Sequence, residues 1–232
     1  MFMAACVLAS LTSCQSAKPD AYLNYPDLEW GMTPEEVFES MEIREENIEN
    51  HDIADRTESY RLTDVELFGE EPSTLVMNFM DMTYSEDFPY GGEEGAKRGL
   101  VEILAYYPED ADMDGVMTQM KKVYGNPLPE IYEFEPGINR QGLREEPTKE
   151  SDTLKLWGGP VLSEVIEEDS SHQYRDMWKT YYPGIDDENW ELFYEKGRLV
   201  TGTYSDDVGA KGVSLNAYHF MVYNELQEYF GE

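Results

Sequence analysis

Along the chain, short apolar runs alternate with acidic or Gly/Pro-rich breaks, and the period inside each run separates helices from strands. The clearest start signal is Thr33-Pro34-Glu35-Glu36-Val37. Thr33 stands where an N-cap belongs, Pro34 suits the first helical position, and Glu36 completes a capping box. Met32 and Val37 occupy hydrophobic-staple positions. With Val37, Phe38 and Met41 as the buried face, this predicts a short helix over residues 34–42. A charged loop is expected over 44–58. Residues 60–68 and 74–83 read as strands joined by Gly69-Glu70-Glu71-Pro72, because β-branched, aromatic and apolar residues dominate them. Gly91, Gly92 and Gly95 mark a loop. Residues 99–106 then read as a third strand, apolar on both faces.

Asp112 or Asp114 caps a second helix, in which Val116, Met117, Met120, Val123 and Tyr124 share one face. Lys121 and Lys122 complement its C-terminal dipole, and Gly125 with Pro127 stops it. Residues 129–152, rich in Pro, Gly and charge, read as a linker or long loop. Beyond them a strand is expected at 153–157 and a helix at 171–182. A hairpin is expected from 190–195 and 198–204 around Lys196-Gly197, and a further strand at 213–218. A C-terminal helix turns Tyr223, Leu226 and Phe230 inward.

The expected class is α+β: an antiparallel sheet with short helices packed on one face. An arrangement of two similar lobes, 28–128 and 153–232, is also open. It rests on an echo between Trp30-Gly31 followed by Glu36-Val37 and Trp157-Gly158 followed by Glu164-Val165.

The N-terminal run changes the picture of location. Residues 1–13 are too short to span the roughly 30 Å hydrocarbon core, and they match the apolar region of a signal peptide. The run ends in Leu11-Thr12-Ser13-Cys14, which resembles the lipobox of bacterial lipoproteins. That resemblance implies cleavage before Cys14, lipidation of Cys14, and an extracytoplasmic protein anchored to the outer face of the cell membrane. Residues 14–27 would be the tether. No Lys or Arg precedes the apolar run, although signal peptides carry a basic start. The expectation is therefore that the signal begins upstream of Met1.

Charge excludes one class of partner. Asp and Glu number 49 against 17 Lys and Arg, a net charge of −32. Nucleic-acid binding needs cationic neutralisation of phosphates, so it is excluded as a main function. The acids are dispersed along the chain, as a solvated surface requires. Once the signal is removed Cys14 is the sole cysteine, which leaves no internal disulfide, thiolate-bound zinc or thiol nucleophile.

The Trp30 to Val37 stretch, the later strand and the helix closing on Tyr124-Gly125-Asn126-Pro127 together resemble uncharacterised small α+β lipoproteins of Gram-positive gut bacteria. More distantly they resemble β-lactamase-inhibitor-like modules and the small lipoprotein of outer-membrane assembly machines. The resemblance covers residues 28–127. It implies short helices on one face of an antiparallel sheet and a non-catalytic binding or scaffolding module, whose partner would be an envelope protein or a surface ligand. It transfers no catalytic residue.

Three groups of residues carry candidate chemistry. Asp110, Asp112 and Asp114, with Gly115, match the first half of a calcium loop, although its twelfth position is Lys121 where a bidentate Glu belongs. A cation-binding surface protein is the corresponding function, with calcium as its ion; no other cofactor is expected. Tyr106-Tyr107 and Tyr181-Tyr182 each precede a proline and could stack on a sugar or peptide. Paired acids would serve an extracellular hydrolase of glycan or peptide, which needs two carboxylates flanking the bond. No metal-binding His pair, Gly-x-Ser-x-Gly elbow or phosphate loop is present, and His219 sits in an apolar context as a packed residue.

Overall fold

The computed structural model describes residues 22–54, 56–81, 97–132, 146–166, 174–179, 185 and 189–230. The elements follow in chain order: α1 (Pro34–Ser40), β1 (Ile48–Ala54), β2 (Thr57–Leu62), β3 (Thr74–Asp81), β4 (Arg98–Tyr106) and α2 (Met113–Tyr124). Next come the short strands β5 (Glu130–Ile131) and β6 (Thr148–Lys149), then β7 (Leu154–Gly158). Helix α3 spans 174–179. The chain closes with α4 (Trp190–Lys196), β8 (Thr201–Asp207), β9 (Ala210–Asn216) and α5 (Tyr218–Phe230). Seven strands form one antiparallel sheet in the order β1-β2-β3-β4-β9-β8-β7. The fold is α+β.

The sheet has two unlike faces because its strands alternate. On β3 the burial strictly alternates, with Leu75, Met77, Phe79 and Asp81 inward. Register places Leu62 beside Leu75, Ile103 beside Met77, and Leu215 beside Ile103 on that same face. α1 covers this face through Phe38, whose ring meets Tyr60 edge-on at 4.8 Å. α2 covers it through Met113, Val116, Met120 and Tyr124, and its first turn is tied down by Tyr204, whose hydroxyl donates to the Met113 carbonyl at 3.1 Å. Burial, then the negative charges of Asp206, Asp114 and Asp112, push the Tyr204 pKa up to about 12. Trp157 donates its indole N–H to the Gly125 carbonyl at 3.1 Å and so locks β7 to the end of α2.

Both expected caps form. Thr33 Oγ1 accepts from the Glu36 N–H at 3.4 Å while Glu36 Oε2 accepts from the Thr33 N–H at 2.7 Å. Asp112 caps α2 by accepting from the Gly115 N–H at 3.0 Å. Thr33→Ala removes one half of the α1 box and is expected to cost about 1 kcal/mol, measurable as a lower urea midpoint with an unchanged slope.

Four expectations need correction. Residues 48–54 form a strand within the expected loop; β1 is an edge strand with six of its seven residues exposed, so it carries no apolar alternation to read. The second strand starts at Thr57 and stops at Leu62, short of Phe68, because the chain turns through Asp64 and Phe68, both at positive φ. Residues 190–196 are helical, without a hairpin: Trp190 and Phe193, three apart, bury together, and the Gly197 N–H closes the helix on the Phe193 carbonyl at 2.7 Å. The segment 129–152 contains the β5-β6 ribbon, and Leu128 donates to the Leu156 carbonyl at 2.7 Å, holding the ribbon against the outer edge of β7.

The segments on either side of that ribbon build one sheet, since β4 from the first pairs with β9 from the second. The Trp-Gly echo has a local counterpart. Glu164 Oε2 accepts from the Val161 N–H at 2.9 Å, as Glu36 does from Thr33, so each segment opens a helical turn with a Glu reaching back three residues.

Candidate functional site

The second face of the sheet is where polar chemistry gathers. One register row crosses all seven strands there: Asp52, Ser59, Asn78, Glu102, Asn216, Thr201 and Gly158 are successive neighbours. Cross-strand side chains on one face lie close enough to bond directly, and in this row they do. Ser59 Oγ donates to Asn78 Oδ1 at 2.7 Å, Asn78 Nδ2 donates to Glu102 Oε2 at 2.6 Å, and Asn216 Nδ2 donates to Glu102 Oε1 at 3.1 Å. Each oxygen of the Glu102 carboxylate is thus held by an amide, from one neighbouring strand on each side. Hydrogen bonds to a charged acceptor are the stronger kind, so the carboxylate is fixed in direction before any ligand arrives.

An apolar strip runs beside this row. Val76 and Leu104 are partners across β3 and β4, and Tyr106 lies opposite Gly212, where a Cβ would stand 2.7 Å from the Ala105 carbonyl oxygen. Tyr106 is 52% exposed, while Val76 and Leu104 are half-buried. Along β3, β4 and β9, the described residues of this face are half-buried or exposed apart from Gly99. The surface combines aligned acceptors with apolar area, the combination that recognition surfaces use.

A second polar cluster occupies the opposite face at the β1-β2 end. Glu58 accepts from Tyr60 at 2.7 Å and meets His51 Nε2 at 2.8 Å, with an Arg98 guanidinium nitrogen at 3.5 Å. The His51 ring stacks on Tyr60 at 4.2 Å. Burial pushes the Glu58 carboxyl up, but the Tyr60 and His51 hydrogen bonds and the nearby positive charges outweigh it, and its pKa is lowered. A lowered carboxylate pKa adds stability that is complete above the unfolded value and is lost as pH falls through the folded one. Glu58→Gln is therefore expected to flatten the acid limb of a melting-temperature profile and to leave its neutral range alone. An unchanged acid limb would show that Glu58 carries none of that dependence.

The structure separates the residues proposed from sequence. Tyr106 points to the open face, whereas Tyr107 is buried on the helix-covered face with its hydroxyl donating to the Leu67 carbonyl at 2.8 Å. Burial raises the Tyr107 pKa. Tyr107 is therefore a core residue, and the pair forms no joint platform. Asp110, Asp112 and Asp114 are exposed around the start of α2, and Asp112 is committed to its cap. Among the described residues no group of three or more His, Cys, Asp or Glu side chains is placed to hold a metal ion. His219 is buried, edge-on to Phe193 at 5.4 Å, with Nδ1 2.8 Å from the Arg198 carbonyl. Cys14, Tyr181 and Tyr182 lie outside the described residues.

Sequence reasoning passed over Ser59, Asn78, Glu102 and Asn216. The signal was present as single polar residues inside apolar runs, Asn78 within Leu75-Val76-Met77-Asn78-Phe79 and Glu102 within Leu100-Val101-Glu102-Ile103-Leu104.

Fold and site define an α+β sheet protein with one helix-covered face and one open, polar-lined face. No protein-family model, curated protein or solved structure matches the chain. Among the described residues no helix is long and apolar enough to cross a membrane.

Proposed function

We propose that the chain is a lipoprotein, anchored through lipid on Cys14 to the outer face of the cell membrane, that binds an envelope protein or surface ligand on its open sheet face without catalysis. The observation that carries the binding half is the Ser59–Asn78–Glu102–Asn216 row, held by cross-strand hydrogen bonds beside Val76, Leu104 and Tyr106. Rotamers fixed before binding reduce the entropy lost on association, which is about 0.5–1.5 kcal/mol per immobilised side chain. The lipobox Leu11-Thr12-Ser13-Cys14 supports the anchoring half. A single acyl chain gives marginal, reversible membrane binding and firm anchoring takes two signals, so more than one chain on Cys14 is part of the reading.

Each half has its own test. Cells fed a clickable fatty acid are expected to label the protein, and Cys14→Ala is expected to abolish the label; persistent label would refute anchoring at Cys14. For binding, Glu102→Arg reverses the charge at the centre of the row. It is expected to reduce recovery of a co-purifying partner or ligand at least tenfold, since a mispaired charge covered by a bound partner costs more than the roughly 1.4 kcal/mol that equals tenfold. Recovery equal to wild type from an equally stable variant would remove the open face from the account.

A further inference from the structure

The two edges of the sheet are not alike. The outer edge of β7 is engaged by Leu128, which donates to Leu156 at 2.7 Å, and by Ser151, which donates to Leu154 at 2.9 Å. The outer edge of β1 pairs with nothing among the described residues, since β1 has the single strand neighbour β2. The direction of its backbone groups follows from the register. The Asp81 N–H donates to the Arg56 carbonyl at 2.8 Å, so Arg56 and, by alternation, Glu58 and Tyr60 turn their backbone groups toward β3. Thr57, Ser59 and Arg61 then turn theirs toward β1, where they pair with Ala54, Asp52 and Asn50. His51 and Ile53 are left with N–H and C=O groups aimed outward, a ready template for another strand.

The side chains along this edge select what would pair there. Ile53 is 60% exposed on one face, and Asp52 is exposed on the other. Glu45, Glu46, Glu49 and Asp52 surround the edge, while its two arginines are engaged: Arg44 pairs with Glu46 at 3.5 Å and Arg61 with Glu49 at 3.8 Å. A second copy added antiparallel, with His51 of each copy opposite Ile53 of the other, would set Asp52 against its own equivalent, and like charges facing across strands are destabilising. A strand with Lys or Arg facing Asp52 and an apolar side chain facing Ile53 meets no such penalty.

We propose that the outer edge of β1 receives an extended segment of a partner protein, alternating cationic and apolar residues, by strand addition through the backbone groups of His51 and Ile53. This surface shares Asp52 with the row on the open face but is read through the backbone groups of His51 and Ile53, so either assignment can fail alone.

The test uses the full chain and three synthetic octapeptides: alternating Lys and Val, alternating Glu and Val, and the Lys-Val sequence fully N-methylated. The Lys-Val peptide is expected to bind, more weakly at high salt, and to slow amide exchange at His51 and Ile53. The N-methylated and Glu-Val peptides are expected to bind at least tenfold more weakly. Ile53→Pro removes an outward N–H, which an edge strand tolerates, and is expected to weaken Lys-Val binding about tenfold or more. Should that variant not fold, the N-methylated peptide decides alone. Equal binding of the N-methylated peptide would mean simple attraction to an acidic protein and would overturn the proposal. So would equal binding of the Glu-Val peptide, or no Lys-Val binding at millimolar concentration. A concentration-dependent dimer lost in Ile53→Pro would make the occupant a second copy and overturn it equally.

Discussion

Phe79→Ala is expected to lower the unfolding free energy by about 3–5 kcal/mol, the range for truncating a fully buried aromatic. Phe79 has no exposed surface and sits on β3, the third strand of seven, on the helix-covered face. Its ring meets Tyr60 edge-on at 5.8 Å, and Tyr60 in turn meets Phe38 of α1, so the truncation opens a cavity in a three-ring contact between sheet and helix. In a chain of this size 1 kcal/mol moves the melting temperature about 2–4 °C, so a fall of about 6–20 °C should be seen in a calorimetric scan. The informative comparison is Asn78→Ala, one residue away on the other face. It forfeits two hydrogen bonds at a half-buried site and is expected to cost about 1–2 kcal/mol. Similar losses at both positions would contradict a sheet with one covered and one open face.

Gly99→Ala is expected to destabilise by about 1–3 kcal/mol, the range for overpacking, against the usual gain of about 0.4–1 kcal/mol when an unstrained glycine becomes alanine. The reason is a backbone crossing. A Cβ at Gly99 would stand 2.7 Å from Gly31 Cα and 2.9 Å from the Gly31 carbonyl oxygen. The opposing backbone cannot retreat cheaply, because the Gly31 N–H donates to the Leu100 carbonyl at 3.0 Å and the Leu100 N–H donates to the Met32 carbonyl at 2.8 Å. Gly31 itself lies at φ +89°, where an L-residue is strained. These bonds seat the Trp-Gly turn on β4 just before α1, so the substitution should also loosen α1. Urea midpoints and amide exchange at Val37 and Met41 measure both effects. A Gly99→Ala protein as stable as wild type would show that the turn moves aside freely.

How much of this was legible in the sequence depended on whether neighbours left a local trace. α1 and α2 were readable to within two residues because Thr33, Glu36, Asp112 and Gly125 solve the local problem of unpaired helix ends. β3 and β4 were readable because both lie inside the sheet and bury apolar residues. β1 was not, since an edge strand with six exposed residues has the composition of a charged loop. Residues 190–196 were misread because Trp, Phe and Tyr favour strands in general, while here Trp190 and Phe193 pack at helical spacing and Trp178 joins Phe193 at 5.3 Å from another helix. The polar row was partly legible. Asn78 and Glu102 interrupt apolar runs, but their meeting requires a register in which Asn78 pairs with Glu102 and Glu102 with Asn216, 114 residues further on. Conversely, the alternate aspartates at 110–114 looked like a metal loop because a helix cap uses the same residue type as a cation site.

The central claim is that the open sheet face is the binding surface of a membrane-tethered protein, and site-specific photocrosslinking in living cells tests it most directly. A photoreactive amino acid would be placed at Leu104 on the open face, and in a separate strain at Gln119, exposed on α2 on the covered side. The account predicts one discrete crosslinked species from Leu104, absent from Gln119 and lost when Glu102→Arg is added. Crosslinks from Gln119 and none from Leu104 would place binding on the helical side and contradict it.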